Sequence, residues 1–300
     1  MYPGSRKTPS NTLYCAWENG FTPLTVGCPV IIGDGLKGTD DIGVPVEGGE
    51  YVKEARIGRA ITDADVFISL TTSGARRPAL AARSRTSAWA AVPGAGKTEQ
   101  HSNGKPSTTR TCAAGADAAS ASANGGLVFD EEKRKMRVDH AHCVGCGRCL
   151  GACNFDAISF DNCDANELLN ARMAEYTKAV VDGRPNFHIS LIMDVSPNCD
   201  CHPENDAPIL PDIGMFASFD PLALDQACVD ACMAANPMPH SQLSDNMKKP
   251  GFADWGDPFR NSTPESEWRS CLDHAEKIGL GTREYELINV NGEKEIILIC

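Results

Sequence analysis

HCVGCGRCLGACNFDAISF, residues 142–160, decides how the rest of the chain is read. Its Cys143, Cys146, Cys149 and Cys153 have the spacing C-x-x-C-x-x-C-x-x-x-C. Thiolates are soft ligands that suit iron in a sulfide cluster. Gly145 and Gly147 relieve the backbone between them, so one tight loop can wrap three corners of a cubane. Zinc more often uses two separated C-x-x-C pairs. The spacing therefore points to a [4Fe–4S] site ahead of zinc or plain thiols.

The run resembles that of a bacterial ferredoxin, in which the fourth Cys ligates the other of two clusters. Asn154 stands where such runs continue with Pro, yet FDAISF keeps the pattern of a closing strand. A ferredoxin is a duplicated unit, which directs attention upstream. ANGGLVFD at 123–130 is similar to NFDAISFD at 154–161, an offset of 31 residues (154 − 123). That offset carries the four cysteines to Cys112, Gly115, Ala118 and Ser122, so one thiol of four is present. Read from the third base of each codon, the genetic code permits LCxGCGRCxxEC across 111–123, with all four thiols in place. RRPALAARSRTSAWAAVPG, within the basic, Ala-rich stretch 71–98, can likewise encode EEAGFGGALKNIGMGCGSR. Trp89 is a firm constraint there, because its single codon forces an NTG codon followed by Gly. The expectation is that 71–96 and 107–122 are frameshift products; the alternative is a natural Ala-rich linker or basic surface loop.

Working outward, the chain has 300 residues, enough for one large domain or two modest ones. A net charge of −12 argues against a nucleic-acid partner, since phosphate binding needs a basic face. No apolar run reaches membrane-spanning length, and MYPGSRKTPSNTLYCAWENG lacks the apolar centre of a secretory signal. The expected location is the cytoplasm. There the fourteen cysteines read as metal ligands or reduced thiols rather than disulfides.

Residues 22–46 suggest a strand entering a loop, and 51–65 a short helix before a buried strand at 66–70. The pattern of 167–183 is a helix ending at Gly183, followed by a buried strand over 187–196. Asp220-Pro221 opens a helix, with Asp as N-cap and Pro in the first turn. Thr263-Pro264 is expected to do the same for a helix ending near Gly279. Asn291-Gly292, between YELINV and EIILI, signals a hairpin. Strands alternating with helices give an α/β body. The expected organisation is a discontinuous α/β domain (1–106 and 164–290) with an inserted α+β ferredoxin-like domain (107–163) and a tail (291–300).

AVPGAGKT, 91–98, matches a loose phosphate-loop pattern, but EQHSNGKPS after it will not propagate a helix, and chance explains it better. NCDCHPEND, 198–206, places Cys199, Cys201 and His202 near Asp194 at a predicted strand end, where α/β proteins often hold ligands. Reduced thiols and a loop histidine are the plainer alternative. Cys228 and Cys232 fall on one helical face and read as core. Cys15, Cys28, Cys163, Cys271 and Cys300 receive no role.

NIGMGCGSRAGK in the shifted frame, EQHSNGKPS, HCVGCGRCLGACNFDAISF and VSPNCDCHPENDAPILPDIGMFASFDPLALDQAC together resemble the DUF362 family of iron–sulfur proteins. The resemblance runs from about residue 12 to about 290. It implies an inserted two-cluster ferredoxin domain and an anaerobic host. Family members usually begin earlier, so MYPGSRKT is expected to mark a truncated start. The family's role is unsettled, so the resemblance names the cofactor better than the reaction. The leading hypothesis is one-electron transfer to an unknown redox partner protein. An enzyme fed by the clusters, with its site near Asp194, Cys199, Cys201 and His202, is the alternative, and purely structural clusters are a third. With the usual cross-ligation, Cys143, Cys146 and Cys149 need a fourth thiol where Ser122 stands. Two clusters are expected in the in-frame parent and one incomplete site in the chain as written.

Overall fold

A computed structural model describes residues 9–36, 38–72, 96–97, 99–100, 107–108, 126–130, 132, 135–143, 149, 158–159, 166–197, 206–264, 266–290 and 296–299. The chain forms two compact units. The first comprises Met1–Val44, Glu54–Ala64 and Ala91–Asp164, and the second Pro45–Lys53, Asp65–Ala90 and Ala165–Cys300.

The first unit begins with α1 (Pro9–Glu18) and α2 (Pro23–Val26). The strand expected from residue 22 starts only at β1 (Asp41–Pro45), which pairs with β2 (Glu54–Gly58). Local capping explains the difference. Thr22 and Thr25 cap one another reciprocally, with Pro23 at the first position, which commits 22–26 to a helical turn. The short helix expected over 51–65 is likewise reduced to α3 (Arg59–Thr62). Glu54, Ala55, Arg56 and Ile57 alternate exposed and buried, a period of two that a helix cannot satisfy.

In the cysteine-rich part of this unit, β4 (Ser107–Thr108), β5 (Leu127–Asp130), β6 (Lys135–Val138) and β7 (Ile158–Ser159) form two antiparallel ribbons. β5 pairs with β6, and β4 with β7. Under a duplication in which β4 corresponds to β6 and β5 to β7, each ribbon maps onto the other. The registers differ by one position: Leu127 faces Val138, whereas the equivalent Ile158 faces Thr108 and not Ser107.

The second unit is built on a five-stranded sheet. It takes in β3 (Phe67–Thr72), α4 (Asn166–Val181), β8 (Asn186–Ile192), β9 (Gly214–Ser218), α5 (Pro221–Ala234), α6 (Gln242–Met247), α7 (Pro258–Ser262), α8 (Trp268–Lys277), β10 (Leu287–Asn289) and β11 (Ile296–Ile299). The strand order is β10-β11-β9-β8-β3. β3–β8 and β9–β11 are parallel, while β8–β9 and β10–β11 are antiparallel. Residues 296–299, from the stretch expected to be a tail, thus supply an interior strand. Their run of Ile, Ile, Leu and Ile is what a central strand requires. α5 packs on β8, β9 and β11, and α8 on α4 and α5.

Caps set the helix boundaries. Asp220 Oδ1 accepts the amides of Leu222 at 2.7 Å and Ala223 at 3.1 Å, as its N-cap position predicts. Gly183 follows α4 in the left-handed region, with φ of 73°. The helix expected to open at Thr263 opens later, because Thr263 closes α7 instead. A second Asp-Pro pair, Asp257-Pro258, starts α7, and Asp257 Oδ2 also accepts Trp268 Nε1 at 2.8 Å, tying α7 to α8. Cys228 and Cys232 lie in the core as expected, and burial pushes the Cys232 thiol up to about 12. No helix among the described residues is long and apolar enough to cross a membrane.

Candidate functional site

β6 delivers the chain into the cysteine motif through a tight turn. Its anchor is Asp139, whose carbonyl accepts the amides of His142 at 3.1 Å and Cys143 at 2.8 Å. The Asp139 carboxylate accepts the Ala141 amide at 3.0 Å and lies 2.8 Å from His142 Nδ1. The hydrogen bond from His142, then that from Ala141, holds this carboxyl below its ordinary range. Cys143 is half-buried at the turn's end and Cys149 is buried; neither forms a disulfide. Two thiols are half of the four donors that a [4Fe–4S] cluster takes. Cys146 and Cys153 lie outside the described residues, as do Cys112 and Ser122. Among the described residues no three His, Cys, Asp or Glu side chains converge.

At the carboxyl end of β8, Asp194 has a positive φ of 48°, and its amide donates to Asp212 Oδ1 at 3.0 Å. Asp is one of the few non-glycine residues that tolerates this conformation. Its expected companions Cys199, Cys201 and His202 lie outside the described residues.

Two arrangements escape a local reading of the sequence. In the first, Ser69 Oγ lies 2.9 Å from His188 Nδ1, and His188 Nε2 lies 2.8 Å from Asn186 Oδ1. Asn186 Nδ2 donates to the carbonyls of Val181 and Arg184, which turns Oδ1 toward the imidazole. The proton therefore sits on Nε2, and Ser69 donates to Nδ1. This is the order of a nucleophile, a base and its orienting amide. Ser69 is only 4% exposed and His188 0%, so no substrate reaches it and the chain of bonds satisfies buried polar groups instead. A serine and a histidine at matching places in two apolar strands were the available signal.

In the second, Glu175 on α4 is fully buried and receives four partners. The amides of Glu50 at 2.7 Å, Tyr51 at 3.2 Å and Val52 at 2.6 Å donate to its carboxylate, and His274 Nε2 lies 2.9 Å away. Burial alone would raise this pKa. The His274 bond and the three amides outweigh it and hold the carboxylate below its ordinary 4.5. Gly48 supplies the turn with a φ of 77°, and a Cβ on Gly49 would strike the Val52 carbonyl. The clamp anchors the loop; its ionised carboxylate has no open lone pair directed at solvent chemistry.

A cleft of about 590 Å³ lies beside the start of α5, lined among others by Lys178, Arg184, Phe219 and Gly279. It contains none of the site residues expected from sequence, and the α5 amides at its edge are already taken by Asp220.

No curated protein and no solved structure matches the chain. The model of one family, described as a domain of unknown function (DUF362), matches residues 3–230. That is most of the 300-residue chain, and it spans both the β8–β9 body and the cysteine motif: the protein belongs to the DUF362 family.

Proposed function

We propose that the in-frame protein is an iron–sulfur electron carrier in which Cys143, Cys146, Cys149 and Cys153 ligate [4Fe–4S] clusters. The observation that carries this is their C-x-x-C-x-x-C-x-x-x-C spacing. Three further features support it. Cys143 and Cys149 are reduced thiols, the four short strands pair as a duplicated unit would, and β5 and β7 begin 31 residues apart (158 − 127), the offset of the sequence repeat. Such clusters supply one-electron transfer at a potential tuned by hydrogen bonds and burial. The chain's own part is to present the thiolates: the Asp139 turn fixes Cys143, and burial around Cys149 keeps water off one corner. A reducing, cytoplasmic and anaerobic setting and an unidentified redox partner protein belong to the same proposal; nucleic acid does not, on charge.

The test is anaerobic stopped-flow transfer from dithionite-reduced, iron-reconstituted protein to a one-electron acceptor such as cytochrome c. Transfer that disappears in Cys146→Ser supports the carrier. Clusters that form but exchange no electrons would overturn it.

One observation favours a second reading, a site in the body at Asp194, Cys199, Cys201 and His202 fed by the clusters. The left-handed backbone at Asp194 lies at a strand's carboxyl end, a place where ligands and local strain often coincide. Calorimetry with Zn²⁺ as probe tests its metal form. A Zn²⁺ site lost in Cys201→Ser and Asp194→Asn supports it, and the absence of stoichiometric binding removes it.

A further inference from the structure

The sheet of the second unit has its polarity reversed. The face on which α5 packs carries Ser69, Thr71, His188, Ser190 and Ser218, all buried. Phe216 and Ile192 lie among them on that face, while the opposite face carries Ile68, Leu70, Phe187, Ile189, Leu191 and Ala217. One cross-strand row runs Ile288, position 298, Ala217, Ile189 and Leu70, spanning all five strands. A sheet with one face in water places its polar residues on that side. Here the water side is apolar: Ile68 is 62% exposed, Leu70 64% and Phe219 75%, with Phe187 stacked on Phe219 at 4.8 Å between ring centres.

We propose that this face is a homodimer interface, occupied by the same face of a second copy. Two features select that occupant. The first is area. At roughly 150–200 Å² for a large side chain, the exposed parts of Val66, Ile68, Leu70, Phe219 and Ile288 leave about 450–600 Å². That approaches the roughly 600 Å² per partner at the lower end of stable interfaces. The second is charge. Each copy carries a net −12, which opposes association through most of its surface. The strand positions on this face from β3, β8, β9 and β10 hold no charged residue, so two copies meet here without like-charge contact. An uncharged, largely apolar face is compatible with its own copy, as a two-fold interface requires.

The test is sedimentation equilibrium of the full chain in reducing buffer, from about micromolar to about 100 μM protein. The expected result is a monomer–dimer equilibrium whose dissociation constant rises at least about 100-fold in Ile68→Glu and in Leu70→Glu, where the dimer would bury an unpaired charge. Each variant is checked by circular dichroism. Should one fail to fold, hydroxyl-radical footprinting of the unaltered chain gives the same answer, with oxidation of Met193 and Phe219 falling as concentration rises. A monomer throughout the range overturns the proposal, whether an apolar dye finds the face open to another partner or finds it covered by the chain's own residues. So does a dimer that both charged variants leave intact.

Discussion

The five-stranded sheet of the second unit and the cysteine-rich ribbons of the first are built to different standards. In the unit built on that sheet, Phe216, Ile192, Leu222 and Leu224 are fully buried, and buried Ser69, His188, Glu175 and Asp257 all have specific partners. In the ribbons, β4 and β7 are two residues each, and the buried apolar residues described between 107 and 163 are Leu127, Met136, Cys149 and Ile158. The body holds itself. On the proposed reading, a metal cluster would staple the ribbons.

The largest expected effect breaks the comparison at that staple. In Ser122→Cys loaded anaerobically with iron and sulfide, amide exchange at 127–130 and 135–138 should slow by about 100-fold or more relative to the metal-free protein, as metal binding becomes folding energy. Exchange at 186–192 should not change. Equal slowing in both places would mean that the two regions do not differ as described.

Next in size is the Glu175 clamp. Glu175→Ala leaves three amides and His274 without their acceptor, and should cost about 3–5 kcal/mol in urea unfolding. Its pH dependence has a definite sign. The folded pKa lies below the unfolded value, so this contribution is complete above 4.5 and is lost as pH falls through the depressed folded value. The acid limb of the stability curve should flatten in Glu175→Gln; an unchanged limb would assign acid sensitivity elsewhere.

Smaller effects sharpen the account of the body. Ser69→Ala should cost about 1–3 kcal/mol by leaving His188 Nδ1 without a donor. Asp220→Ala removes the α5 cap and the 2.9 Å bond to the Thr282 amide, and should cost about 1–2 kcal/mol. Cys232, with its thiol raised to about 12, should resist iodoacetamide at pH 8 in the folded protein while exposed Cys28 reacts.

How far the sequence disclosed all this depends on the range of the interaction. β3 and β8 were legible as continuous apolar runs between breakers, and α4 and α5 from their Gly and Asp-Pro boundaries, because each signal sits inside the element it sets. β2 reads locally as helix because EARIG, lying among charged residues, shows a period of two over only five positions. Thr263-Pro264 resembles a helix start as closely as Asp257-Pro258 does; what separates them is the bond from Trp268 to Asp257. The Glu175–His274 contact joins residues 99 apart and Ser69–His188 residues 119 apart, which no local pattern encodes. In the cysteine motif the proposed chemistry rests on closely spaced residues, which a local reading can find. The apolar open face was visible as Ile, Leu and Phe in the strands, yet the alternation could not say which side the helices would take.

The most direct test of the central claim is the iron and acid-labile sulfide bound per chain after anaerobic reconstitution. The chain as written, with Ser122 where a fourth thiol is needed, should hold well under one [4Fe–4S] cluster, and Ser122→Cys should raise this to about one. Two full clusters bound by the chain as written would contradict the account.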